Sequence, residues 1–202
     1  MIFEELKWRK NGASAIVEGE KLQLSLDTVV KFNISEGKEI TEQEWDELIK
    51  YNDVILAKNY LFNLLSHYQK TEKEAKRKLK EKGFSSYGIE KAIKIAKEYK
   101  YIDDKKYVAL YLSDNKGKKG PQVLKNELYF KGVDKQIIEE AVETLSEEEQ
   151  LDSAMAIALK YNKRLDKTLK SKQKLYQHLV QKGFYLSTVS EVLAKFNFDY
   201  YD

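Results

Sequence analysis

Lysine is the side chain this sequence supplies in the numbers and spacing that chemistry needs. Lys76, Arg77 and Lys80 fall in one stretch beside Lys73, Lys78 and Lys82, and Lys116, Lys118, Lys119 and Lys125 fall in a second. Lys163, Arg164, Lys167, Lys170 and Lys174 fall in a third, with Lys172 among them. Cations clustered in this way attract a polyanion or an acidic protein groove, and salt weakens the attraction. No other constellation competes. The chain has no cysteine, hence no thiolate nucleophile and no sulfur ligand for a metal. His67 and His178 stand in unrelated contexts, and no glycine loop has phosphate-binding spacing. Glu139-Glu140 and Glu147-Glu148-Glu149 read as solvated helix faces. The expected chemistry is binding, with no catalytic residue, metal or cofactor.

The elements that must carry these lysines form a repeat. Gly83, Gly132 and Gly183 lie 49 and 51 residues apart, a period at which tandem helical architectures occur. Leu79, Leu128 and Leu179 stand four positions before them, and Lys82, Lys131 and Lys182 one before. Phe84, Val133 and Phe184 follow directly. A helix that ends on a left-handed glycine packs the next residue back on the last turn, so each apolar pair predicts a glycine-stopped helix. Ile89, Ile138 and Val189 then open a second apolar face, which Ala92/Ile93, Ala141/Val142 and Val192/Leu193 continue. Thr71 and Pro121 mark helix starts, with Ser171 as a third, while Ser86, Asp134 and Ser187 are candidate caps after the glycines. A further helix precedes each pair, with Ala57/Tyr60/Leu61/Leu64/Leu65, Tyr107/Leu110/Tyr111 and Ala154/Ile157/Ala158/Tyr161 facing inward.

The first 40 residues read differently. Residues 13–17, 21–26 and 28–32 are short alternating or β-branched runs broken by Asn11-Gly12, Gly19-Glu20 and Asp27, which predicts a β-hairpin or three-stranded unit. Thr41 to Glu44 is a capping box from which the pattern turns helical. The fold class expected is mainly α. Tandem three-helix, helix-turn-helix-like repeats at 49–102, 103–148 and 149–202 follow a β-containing extension at 1–48, stacked into an elongated curved array.

Of the 202 residues, 34% are charged and 42% hydrophobic, which suits thin repeats better than one large globule. Residues 1–50 carry 7 basic and 11 acidic side chains, residues 51–150 carry 20 and 17, and residues 151–202 carry 9 and 5. No signal-like segment opens the chain and no stretch approaches membrane-spanning length, so a cytoplasmic location is expected.

The segment from Tyr101-Ile102-Asp103-Asp104 to Tyr111, then Lys118-Lys119-Gly120-Pro121 through Leu128 and Lys131-Gly132-Val133, resembles the middle repeat of the RecX regulatory proteins. Gln173-Lys174-Leu175 through Leu179 and Lys182-Gly183-Phe184 is similar to their third repeat, and the β-containing start to the extension of firmicute members. In place of the arginine and serine that members often carry before the second helix of the first repeat, this chain has Gln69-Lys70-Thr71. The resemblance implies a monomeric, non-enzymatic regulator that binds the RecA recombinase filament on DNA and limits its growth, ATP hydrolysis and strand exchange. It also allows contact with single- or double-stranded DNA. The alternative is a sequence-independent DNA-binding protein that acts by competition. On the first reading, charge reversal at Lys116, Lys118 and Lys119 weakens the effect on recombinase and leaves the melting temperature unchanged.

Overall fold

The computed structural model describes residues 1–162 and 168–198. They form two compact units, Met1–Asp103 and Asp104–Asp202. The first begins with an antiparallel sheet in the order β1 (Phe3–Arg9), β2 (Gly12–Val17), β3 (Glu20–Ser25). Glu18 and Gly19, at φ 50° and 77°, make the two-residue turn between β2 and β3, a geometry that matches strand twist.

The chain then departs from two expectations. The run at 28–32 is not a strand, since residues Leu26–Lys31 form the helix α1. Ser25 caps it by accepting the Thr28 amide, and Thr28 and Val29 turn inward while Val30 is exposed. A good N-cap therefore overrides the β-branched run. The missing strand is β1, whose FEELKWR alternates weakly because it is an exposed edge guarded by charge.

Helix α2 (Glu42–His67) begins at the Thr41–Glu44 capping box and serves two cores. Leu48 packs with Phe3, Ala13, Ala15, Val17, Leu24 and Val29 from the sheet side. Ala57 and Leu61 pack with α3 (Glu72–Glu81) and α4 (Ser86–Glu98). Between them the buried Asn52 joins the layers. Its Oδ1 accepts from the Ser25 amide at 2.9 Å and the Thr28 hydroxyl at 3.0 Å, and its Nδ2 donates to the Gln23 carbonyl at 2.8 Å. A buried amide with its hydrogen bonds made fixes register as well as energy.

The second unit holds two further helix triplets. One is α5 (Asp104–Asn115), α6 (Pro121–Phe130) and α7 (Lys135–Glu143); the other is α8 (Glu147–Asn162), α9 (Leu169–Gln181) and α10 (Leu186–Ala194). Leu79, Leu128 and Leu179 are fully buried, each in the core of its own triplet. Gly83, Gly132 and Gly183 take φ of 86°, 82° and 87°. The amides of Phe84, Val133 and Phe184 donate to the carbonyls of Leu79, Leu128 and Leu179 at 3.2–3.3 Å. All three stops are the Schellman motif that the apolar pairs predict.

Four local details are corrected. Thr168 rather than Ser171 caps α9, because the Ser171 amide is the donor that Thr168 Oγ1 accepts and Ser171 itself is buried. Ser85 rather than Ser86 caps α4, with Oγ on the Gly88 amide. Ser187 lies inside α10, whose N-cap is Tyr185. Leu110 is exposed, and Val108 and Leu112 hold the core face of α5.

Gly120 explains the Lys-Gly-Pro element. Helix α6 has no side-chain cap. Instead the Gly120 amide donates to the Lys182 carbonyl at 2.6 Å and the Gln122 amide to the Gly183 carbonyl at 3.0 Å. The orphan donors of one helix start thus meet the orphan acceptors of another helix end. A Cβ on Gly120 would lie 2.3 Å from the Gly183 carbonyl carbon, so only glycine fits.

This docking predicts unequal costs for equivalent substitutions. Gly83→Ala meets open space and carries only left-handed strain, about 1 kcal/mol. Gly183→Ala also places a Cβ 2.5 Å from the Val123 amide nitrogen, and overpacking raises the loss to about 3 kcal/mol. Urea unfolding of the full chain measures both, and equal losses would contradict the docking.

Candidate functional site

In the first unit the candidate cations lie on α3, which its capping box starts at Thr71. Lys76 pairs with Glu72 at 2.6 Å, and Glu72 also receives Lys97 from α4 at 2.7 Å. Hydrogen bonds from Lys76 and Lys97 hold the Glu72 carboxyl below its ordinary range. Arg77 lies 3.3 Å from Glu81, which Lys78 also reaches at 2.8 Å. Lys80 is exposed. Exposed pairs of this kind contribute under about 1 kcal/mol, so an acidic partner can displace them.

In the second unit the helices divide the candidates between two clefts. Lys116 and Lys119 stand at one of about 490 Å³, with Leu112, Leu124, Leu145 and Phe184 among its apolar lining. Lys116 reaches Glu149 at 2.8 Å, and that hydrogen bond raises the lysine pKa while lowering that of Glu149. Lys119 is bound more firmly. Its ammonium donates to both oxygens of Glu127 at 2.6 and 2.8 Å, and the Tyr111 hydroxyl donates to Glu127 Oε2 at 2.6 Å. Burial raises the Glu127 pKa, but donation from Lys119 and then from Tyr111 outweighs it and holds the carboxyl low. Burial first, and Glu127 second, push the Tyr111 phenol far up. Lys119 is therefore a structural cation as well as a candidate contact.

Lys118 lines a second cleft of about 340 Å³ with Lys160, Lys182, Ile157, Gly117, Tyr161 and His178, and its ammonium donates to the Asp114 carbonyl at 2.6 Å. Lys125 is half-buried on α6, and Lys170 and Lys174 are exposed on α9. Lys163, Arg164 and Lys167 lie outside the described residues.

The lysines before the glycines have intramolecular roles. All three are helix C-caps, where the helix dipole favours a cation. Lys82 sits over the Tyr60 ring at 5.5 Å, and Lys131 over Tyr107 and Tyr111 at 5.8 Å. The four tyrosines read as core, Tyr60, Tyr107, Tyr111 and Tyr161, are half-buried against their clusters.

Sequence reasoning missed Lys160, the aromatic pair of the second cleft, and the exposed Tyr129 and Phe130 at the end of α6. The repeat register carried a usable signal for that pair. The position five before the glycine is Lys78, Glu127 and His178 in turn, so it varies in charge while the leucine that follows it repeats.

The Lys119 network revises the expectation of unchanged stability on charge reversal. Lys119→Glu places two carboxylates together beside a half-buried tyrosine, and the expected loss is about 2 kcal/mol. Lys118→Glu, which breaks only a bond to a surface carbonyl, should leave the melting temperature within about a degree. Thermal unfolding followed by circular dichroism checks both, and equal melting temperatures would contradict the structural role of Lys119.

No helix of the described residues is long and apolar enough to cross a membrane. The family models for the RecX second and third three-helix domains match residues 103–142 and 147–193. Regulatory protein RecX of Clostridioides difficile is 36% identical over 181 residues, which cover 87% of this chain and 85% of that one. Its counterpart in Clostridium beijerinckii is 31% identical over 199 residues, covering 96% and 93%. A crystal structure of regulatory protein RecX superposes with a TM-score of 0.73 over 96% of this chain and 99% of its own, and at 23% identity it speaks for the fold. Identity above 30% over most of both chains, together with two matched three-helix domains, places this chain in the RecX family of regulatory proteins.

Proposed function

We propose that this chain regulates homologous recombination by binding the RecA recombinase filament on DNA, where it limits filament growth, ATP hydrolysis and strand exchange. Family membership is the observation that carries the reading. We further propose the division into an extension at 1–48 and three-helix bodies at 49–102, 103–148 and 149–202, each carrying cations toward the partner. The cations of the first are Lys76, Arg77 and Lys80; of the second, Lys116, Lys118, Lys119 and Lys125. In the third they are Lys163, Arg164, Lys167, Lys170 and Lys174. The arrangement suits an assembly with a repeated acidic surface, since several weak contacts on one chain add as if each raised the local concentration of the next. Such a protein needs no cofactor and acts in the cytoplasm as a monomer.

The chain without DNA should bind purified recombinase, and it should lower recombinase ATP hydrolysis on single-stranded DNA. Replacing Lys76, Arg77 and Lys80 by glutamine removes three exposed charges at about 0.5 kcal/mol each, so recombinase affinity should fall roughly tenfold. Binding to naked DNA alone, with none to recombinase, would overturn the proposal in favour of competition for DNA.

A further inference from the structure

The third repeat breaks a pattern that the first two share. Where Lys82 and Lys131 rest over tyrosine rings, the equivalent tyrosine face in the third repeat is taken by His178. The Tyr161 and His178 rings stack with centroids 4.0 Å apart and planes 5° from parallel. Lys182 instead lines the cleft with Lys118 and Lys160. Three lysines thus line one concavity of about 340 Å³, and no carboxylate is among its described lining residues. Helix C-termini account for Lys182 at the end of α9 and Lys160 in the last turn of α8. Lys118, just beyond the end of α5 in the turn at Gly117, likewise meets a helix C-terminus, since its ammonium donates to the last-turn carbonyl of Asp114. No carboxylate among the described lining residues neutralises these side chains, and an anion that enters the cleft gains the attraction of all three at once.

We propose that this cleft is a nucleotide site, in which Lys118, Lys160 and Lys182 hold phosphate oxygens and the stacked Tyr161–His178 pair receives the base. The volume lies at the low end for small-ligand clefts and suits one nucleotide rather than a long track. Multiple phosphate charge matches three cations, and a base gains from an aromatic platform whatever its identity. Burial first, and the Lys182 charge second, hold His178 below its usual range. The ring therefore stacks as a neutral imidazole at pH 7, and the phosphates are left to the lysines. The site needs no recombinase, so its test is independent of the function proposed above. Its ligand has two sources, a free nucleoside polyphosphate or one phosphodiester unit of a single strand.

The probe is ADP with a fluorescent ribose label, titrated by anisotropy into the full chain, with inorganic pyrophosphate, short oligothymidylate and polyglutamate as competitors. The double variant Lys160→Gln/Lys182→Gln should weaken probe binding at least tenfold and flatten its salt dependence, since two phosphate contacts are lost. His178→Ala should weaken the labelled ADP several-fold while pyrophosphate still binds as in the parent chain. Oligothymidylate that displaces the probe at lower nucleotide concentration than ADP assigns the site to a strand, and the reverse order assigns it to a free nucleotide. Equal probe affinity in the double variant and the parent would overturn the proposal, as would displacement by polyglutamate as readily as by pyrophosphate. Circular dichroism confirms folding, and Lys160→Gln alone, at an exposed position, gives the same comparison with the helix cap intact.

Discussion

The fold depends on stopping a short helix at a fixed place over a buried leucine. A helix of ten residues is marginal by itself, and its last turn leaves carbonyls without partners. The left-handed glycine resolves both problems. It turns the backbone so that the following amide satisfies the carbonyl of the leucine, and it brings the following apolar side chain back onto the core. Leu79, Leu128 and Leu179 lie at zero exposure under the three stops, so burial and hydrogen bonding support the same geometry. Each stop also sets the direction of the next helix, and the cations before the glycines are placed by it.

The same motif gives different surfaces according to what meets it. At Gly83 the space where a Cβ would stand is open, whereas Gly183 lies against the start of α6, and the amides of Gly120 and Gln122 close onto its carbonyls. A repeated backbone device thus serves once as a free turn and once as a seam within the second unit. Side chains five positions upstream then diversify it. Lys78 pairs with Glu81, Glu127 gathers Lys119 and Tyr111, and His178 covers Tyr161. The backbone holds the architecture while this position sets the local charge.

Local rules made much of this readable from residue types alone. The glycine stops, the leucines beneath them, Thr41, Thr71 and Asp134 as caps and Pro121 as a first helical residue all act within a few positions of chain. The helix at Leu26–Lys31 was misread because Thr28-Val29-Val30 favours a strand by side-chain type, and the cap that decides the matter is one serine. Strand β1 was hidden by the charges that an exposed edge requires. Distant interactions were beyond reach. Nothing in the spacing of Lys119, Glu127 and Tyr111 announces a shared hydrogen-bond network, and Lys160 gains meaning only when α8 is packed beside α9. The basic clusters were legible as clusters, but their division between two clefts required the fold.

The most direct test of the central claim is amide hydrogen exchange at Phe84, Val133 and Phe184 in the intact chain. If each glycine stop is closed over its leucine, these three amides exchange as slowly as those in the middle of the helices they follow. Exchange at the rate of an open loop, at two or more of the three, would contradict the account.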